Sequence, residues 1–210
     1  MAPAPITQPQ SRQHDPDVFV RVGQWLFARR TWLPLPIALT LLLVPARATS
    51  SSLLWSGVAM VAAGELLRLW AVHHIGVISR TRSDRLGPLV SSGPFRIVRN
   101  PLYVGNIALW GGFTLSARLP WLVPAIVLLL ALEYHAIVRW EEGLLHVRLG
   151  DSYRAYAARV PRWVPRIGNG RPPGEGSSPP FSWRETLFSE RGTLIAIGVG
   201  YVLLWLKDRV

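Results

Sequence analysis

The sequence predicts an all-α, polytopic membrane protein with four core transmembrane helices, a polar region at the cytoplasmic face and a fifth, C-terminal span. Three observations carry that prediction. Half of the 210 residues are hydrophobic and the mean hydropathy is +0.25, too apolar for an ordinary soluble domain. The apolar residues gather into runs approaching the ~20 that a helix needs to cross a bilayer. The arginines collect in alternate connections between those runs, as the positive-inside rule requires of loops on one side.

Taken in order, residues 1–24 are expected to form an N-terminal tail, with the Pro- and Gln-rich stretch Met1–Asp17 disordered and no signal-peptide pattern. The membrane core is expected over residues 25–166. Its first span is about Trp32–Pro45, with a start near Trp25 also open because Pro34 and Pro36 interrupt it. The second is about Leu53–Ile75, the third about Pro101–Ala117 and the fourth about Pro120–Trp140. Arg118, Leu119 and Pro120 leave room only for a tight turn, so the last two make an antiparallel hairpin. Glu141–Leu149 continues as helix, Gly150 is a plausible left-handed stop, and Asp151 or Ser152 opens a second short helix ending before Pro161. Residues 167–180, IGNGRPPGEGSSPP, read as a flexible linker to an accessory C-terminal segment, 181–210, with a fifth span at about Thr193–Leu206.

Orientation follows from the arginines. Arg21, Arg29 and Arg30 precede the first span, Arg80, Arg82, Arg85, Arg96 and Arg99 lie between the second and third, and Arg139, Arg148, Arg154, Arg159, Arg162 and Arg166 follow the fourth. The alternate loops hold only Arg47 and Arg118, which puts the first set on the cytoplasmic side.

The formal charge of +11, from 23 Lys+Arg against 12 Asp+Glu, resides almost wholly in arginine, Lys207 being the single lysine. Arginines set between apolar runs suit anionic headgroups rather than nucleic acid, which is not expected as a partner. Absence of cysteine excludes disulfides, thiolate catalysis and cysteine-ligated metals. No metal is expected: His73, His74 and His146 lack ligand spacing, and Glu142 with His146 is not a two-histidine zinc signature. Several of the ten tryptophans, among them Trp25, Trp32, Trp55, Trp121, Trp140 and Trp205, sit near span ends as interfacial anchors do.

The chemistry concentrates in two places. The first is Leu89–Gly105, LVSSGPFRIVRNPLYVG. Asn100 followed by Pro101 reads as an N-cap and N1 proline, and the helix start offers free N–H groups and a positive dipole end to an anion. Arg99 adds a charge, Gly93-Pro94 a turn, Phe95 and Tyr103 flat rings, and Gly105 allows close approach. A bland alternative fits as well: a juxtamembrane loop whose arginines meet lipid phosphate. The second place is Glu141-Glu142, two acids at a face otherwise rich in arginine. They suit a cationic or hydroxyl-bearing ligand, or simply pair with Arg139 and the loop arginines. Within the spans, Glu65 and Arg68 stand three apart as a self-neutralising pair, and Glu133 and His135 serve either function or hydrogen-bonded packing. No P-loop, Rossmann glycine pattern or serine nucleophile elbow occurs.

The two motifs together resemble the isoprenylcysteine carboxyl methyltransferases and the related phospholipid (phosphatidylethanolamine) methyltransferases. Those families read approximately LVxxGxYxxxRHPxYxG and, one helical hairpin later, EExxLxxxFGxxYxxY. Here the second half is EEGLLHVRLGDSYRAYAARVPRWVP, Glu141–Pro165, and the resemblance covers roughly residues 58–165. It implies an integral-membrane methyltransferase using S-adenosylmethionine, without a Rossmann domain. By position it implies cofactor contacts at Arg80, Leu89, Val90, Gly93, Phe95, Arg99, Asn100, Pro101, Leu102, Tyr103 and Glu141, with Glu142, Asn100 and Arg139 as the catalytic set. Phe95 stands where the family has Tyr, and Asn100 where many members have His, so Asn100 can cap and donate but not titrate. The implied acceptor is lipid or lipidated, a prenylcysteine-type carboxylate or a phospholipid-type amine. A carboxylate needs no base; an amine must lose a proton, with which Glu142 can assist. Rival readings are a membrane lipid reductase binding a nicotinamide cofactor, and a non-catalytic protein on the same scaffold. Oligomeric state is not specified by the sequence.

Overall fold

Inside a bilayer each backbone N–H and C=O must be satisfied within its own segment, so apolar runs of this length fold as helices. The computed structural model describes residues 18–46, 50–75, 89–165 and 182–209, and their regular structure is helical throughout, with no strand. The Pro/Gly/Ser linker, the Met1–Asp17 tail and the Arg80 loop of the sequence reading fall outside these residues.

Helix α1, Val18–Arg29, begins inside the stretch expected as tail, so residues 18–24 are helical. The reason is a stripe at four-residue spacing that finds a partner on α5, Val123–Arg159: the Phe19 ring meets His135, Gly23 lies against the Ala136 backbone, and the Phe27 ring sits 4.8 Å from Trp140. Helix α2, Pro34–Leu43, opens on proline and is bent by 66° from α1. The prolines that blurred the first span in the sequence thus mark a real break.

Helices α3, Ser51–Ile75, and α4, Pro101–Ser116, pack antiparallel along a glycine seam. Gly57 faces Gly112 and Gly64 faces Gly105. A Cβ on Gly112 would stand 2.7 Å from the Gly57 carbonyl oxygen, and one on Gly105 2.8 Å from that of Gly64. Glycines seven apart on both helices let the backbones touch, which lipid-embedded helices exploit because burial from water drives little there.

The α4–α5 connection is the expected tight turn. Arg118 takes φ 60, Leu119 is fully buried, and a 3-10 turn, Pro120–Leu122, leads into α5. The unbroken part of α5 before Gly150 is about 40 Å long, already more than the ~30 Å hydrocarbon core. That part therefore suffices to span, and the rest of α5 projects beyond. Gly150 adopts a non-helical φ of 54 at the position read as a stop, so two helices meet there at a kink, the second being the short helix expected after it.

Helix α6, Trp183–Lys207, starts ten residues before the expected fifth span, on a capping box between Ser182 and Glu185. It packs on the core. Glu190 pairs with Arg68 at 2.6 Å, Tyr201 is hydrogen-bonded to Ser116, Asp208 pairs with Arg118, and the Lys207 amine donates to the Leu41 carbonyl.

Three helical segments are long and apolar enough to cross a membrane: α3, Pro120–Arg159 and α6. The α1–α2 pair makes a fourth if counted as one bent span. At 16 residues, about 24 Å, α4 is shorter than such a span and runs along α3, so the expected set of four core spans is only partly reproduced. The core joins α2, α4, α5 and α6 around Leu119, Leu130, Ile137 and Leu204. A smaller cluster of Tyr153, Tyr156 and Val160 lies beneath Leu89.

Candidate functional site

Leu89–Asn100 is held between the end of α3 and the projecting end of α5. Gly93 adopts φ 55, and a Cβ there would fall 2.2 Å from the His74 ring, so both backbone and space require glycine. His74 is also hydrogen-bonded to the Ser92 hydroxyl, 3.2 Å. Gly93–Arg96 then forms a 3-10 turn that buries Pro94 and Phe95. The Phe95 carbonyl accepts from the Tyr156 hydroxyl at 2.7 Å, a buried bond from loop to α5.

Arg99 donates its backbone N–H to the Pro161 carbonyl at 2.9 Å, which pins the loop to the segment after α5. Asn100 is the N-cap residue of α4 and Pro101 follows at the first turn, as read from the sequence. The Asn100 side chain, however, makes no cap hydrogen bond; its amide donates to the Arg162 carbonyl at 3.2 Å. The capping role expected for that side chain is therefore corrected to a tether. The α4 start still leaves the Leu102 and Tyr103 amides without an intrahelical acceptor.

The two acids take different partners. Glu142 is buried and receives both arginines: Arg99 at 2.9 Å and Arg162 at 2.6 Å. The Arg162–Glu142 hydrogen bonds hold the guanidinium above its ordinary pKa. Glu141, half-buried, accepts from the Tyr103 hydroxyl at 3.0 Å, and the Tyr103 ring lies 4.7 Å from that of Tyr134. Tyr153 is hydrogen-bonded to Arg99, yet the buried Arg99 Nε has no hydrogen-bond partner.

The structure thus brings Leu89, Gly93, Arg99, Asn100, Pro101, Tyr103, Glu141 and Glu142 to one end of the helices, with Val90 and Leu102 half-buried beside them. Phe95 is 7% exposed and faces the interior. Arg139 is set apart, with its guanidinium 6.0 Å from the Phe19 ring on α1. Arg80 lies outside the described residues. Arg162, Tyr153 and Tyr156 join the site without having been assigned to it. The tyrosines stand three apart just past left-handed Gly150, so they share a helix face, a signal that was available. For Arg162 no local signal existed, because its partner is twenty residues away.

What the set can do follows from its donors and acceptors. An anion finds Arg99 Nε and the α4 amides; a cation or hydroxyl finds Glu141. That fits an amino acid-like group carrying both charges, as in S-adenosylmethionine. Among the described residues no group of three or more acids and histidines is placed to hold a metal.

Comparison with known proteins agrees with the motif resemblance. The family model for phospholipid methyltransferase matches residues 52–152, which include the whole of the first motif half and the start of the second, with both acids. A nickel-cobalt-cadmium resistance protein of Alcaligenes xylosoxydans xylosoxydans is 32% identical over 118 residues, 56% of this chain and 52% of that protein. A cobalt-zinc-cadmium resistance protein of Cupriavidus metallidurans is 34% identical over 120 residues, 56% and 51% respectively. The aligned region spans about half the length of these curated relatives. No solved structure matches.

Proposed function

From the phospholipid methyltransferase match over residues 52–152, we propose that this chain transfers a methyl group from S-adenosylmethionine to a lipophilic acceptor at the cytoplasmic membrane face. The acceptor is a prenylcysteine-type carboxylate or a phospholipid-type amine. The observation that carries the reading is the division of labour between adjacent acids: Glu142 is neutralised by Arg99 and Arg162, while Glu141 is hydrogen-bonded by Tyr103 and keeps acceptor capacity.

When bound, S-adenosylmethionine supplies an electrophilic sulfonium methyl. Glu141 holds the ammonium or ribose hydroxyls, and Arg99 Nε with the Leu102 and Tyr103 amides holds the carboxylate. Gly93, Leu89 and Val90 offer close backbone approach. Glu142 acts as a clamp that joins the loop to the α5 extension, and Asn100 reinforces it through Arg162. Arg139 keeps positive charge at the membrane face beside α1. Alignment of the acceptor and exclusion of water then supply the rate, as displacement at a methyl requires. Lipid reaches the site laterally between helices.

The test is calorimetric titration of the purified protein with S-adenosylmethionine and S-adenosylhomocysteine, followed by labelled-methyl transfer into a total lipid extract and into farnesylcysteine. Binding by wild type with a weakened Glu141→Gln supports the reading, and the labelled product names the acceptor. A folded wild type that binds neither compound sinks it.

A further inference from the structure

Helix α6 lies wholly beyond the family-matched residues 52–152, yet it carries a fully buried acid into the core. Glu190 is 0% exposed and accepts from Arg68 at 2.6 Å. The same Arg68 guanidinium binds Glu65 on its own helix, Asn106 on α4 and Thr193 on α6. Ionised groups buried among lipid-facing helices are costly, and apolar residues of the same volume would hold the helices together as well. A network of this kind gives defined geometry more than it gives stability.

That geometry leads to the site. Asn106, which Arg68 grips, is hydrogen-bonded to Tyr134 on α5. The Tyr134 ring lies 4.7 Å from Tyr103, one turn before Asn106 on α4, and Tyr103 donates to Glu141. The sequence of contacts runs α6, α3, α4, α5 and ends on the acid proposed to hold the cofactor. A planar guanidinium with several fixed acceptors can point in one direction only. Removing one acceptor therefore moves what the others hold.

We propose that Glu190 is a positioning residue for the Tyr103–Glu141 pair, acting through Arg68, Asn106 and Tyr134. The proposal rests on the cofactor reading for its functional consequence, though its structural consequence stands by itself. It makes α6 part of the site's support and not only an anchor.

The test uses the full chain in detergent, with S-adenosylhomocysteine as titrant and 3-fluorotyrosine at position 103 as reporter. In Glu190→Gln the dissociation constant rises about tenfold, stoichiometry holds, and the fluorine resonance moves, because small misplacements at a binding site cost one to two decades. Glu190→Asp recovers part of both readouts, and Arg191→Gln on the same helix changes neither. A purely structural Glu190 predicts the opposite split: lower stoichiometry from unfolded protein, with dissociation constant and resonance unchanged. That result overturns the proposal. If Glu190→Gln does not fold, Thr193→Val, which removes the 3.0 Å partner of the same guanidinium nitrogen, takes its place under the same criteria. A wild type that binds no S-adenosylhomocysteine defeats the cofactor reading, and the resonance alone then decides whether Glu190 positions Tyr103.

Discussion

Glu142→Gln is the substitution that separates a clamp from a cofactor ligand. The side chain is isosteric, so any effect comes from charge and hydrogen bonding. Glu142 is 7% exposed and accepts from Arg99 at 2.9 Å and from Arg162 at 2.6 Å and 3.1 Å. Removing one member of a buried ion pair typically costs ~3–5 kcal/mol, because the other charge is left without compensation. The Arg162 side chain is 29% exposed and regains water, so its share is discounted; that of Arg99 is 14% exposed and does not. A net cost of about 3 kcal/mol raises local opening of the loop roughly a hundredfold. The opening is local because the other ties, among them Tyr156 to Phe95, Arg99 to Pro161 and Asn100 to Arg162, hold this same segment to α5 and the residues just after it. Hydrogen exchange in detergent reads this directly. Amides of residues 94–104 should lose about two decades of protection while the α3–α4 seam keeps its own. Cofactor affinity falls only through the fraction of loop that is open. The reasoning fails if protection over 94–104 is unchanged, or if Glu142→Gln abolishes S-adenosylhomocysteine binding with the loop still closed.

Other outcomes follow from the same geometry. Glu141→Gln should weaken S-adenosylhomocysteine binding by about one to two decades, the ~1.5–3 kcal/mol of a charge-assisted hydrogen bond, with loop exchange unaltered; calorimetry and exchange together check it. Tyr103→Phe should cost a smaller, roughly fivefold loss in the same titration, because it removes one hydrogen bond to Glu141 and leaves the acid itself in place. Gly112→Leu should abolish assembly, since even a Cβ there meets the Gly57 carbonyl at 2.7 Å, whereas Gly143→Ala, with nothing within 4 Å, should match or exceed wild type in thermal unfolding. Gly93→Ala should lower the unfolding temperature through both φ 55 and the His74 ring, and His74→Ala in the same chain should restore only the steric part, leaving ~1–2 kcal/mol of backbone strain.

Much of this molecule was legible along the chain because its signals are local. Pro101 behind Asn100 marks a helix start, Gly150 marks a bend, and Arg118-Leu119-Pro120 marks a turn, each through a constraint that one or two residues carry. The same locality explains the misses. Residues 18–24 look like tail until α5 supplies the surface for Phe19, Gly23 and Phe27, since a short amphipathic helix is marginal without tertiary packing. Asn100 has the right identity and place to cap α4, but its side-chain amide donates to the Arg162 carbonyl, sixty-two residues away, and its side-chain oxygen makes no cap bond. The acids show the limit most clearly. Adjacent in sequence, Glu141 and Glu142 are chemically interchangeable; successive positions on a helix point about 100° apart, so one meets the arginines and the other Tyr103. Their separate roles exist only once α4 and the segment after α5 have closed on the two sides of α5. Arg68 repeats the lesson at longer range. The sequence pairs it with Glu65, three residues away, and that pair does form; but the ion that fixes its direction arrives on α6, beyond the part of the chain that the family pattern covers. A motif therefore locates the groups that meet the ligand, whereas the groups that hold them in place are found only where the helices meet.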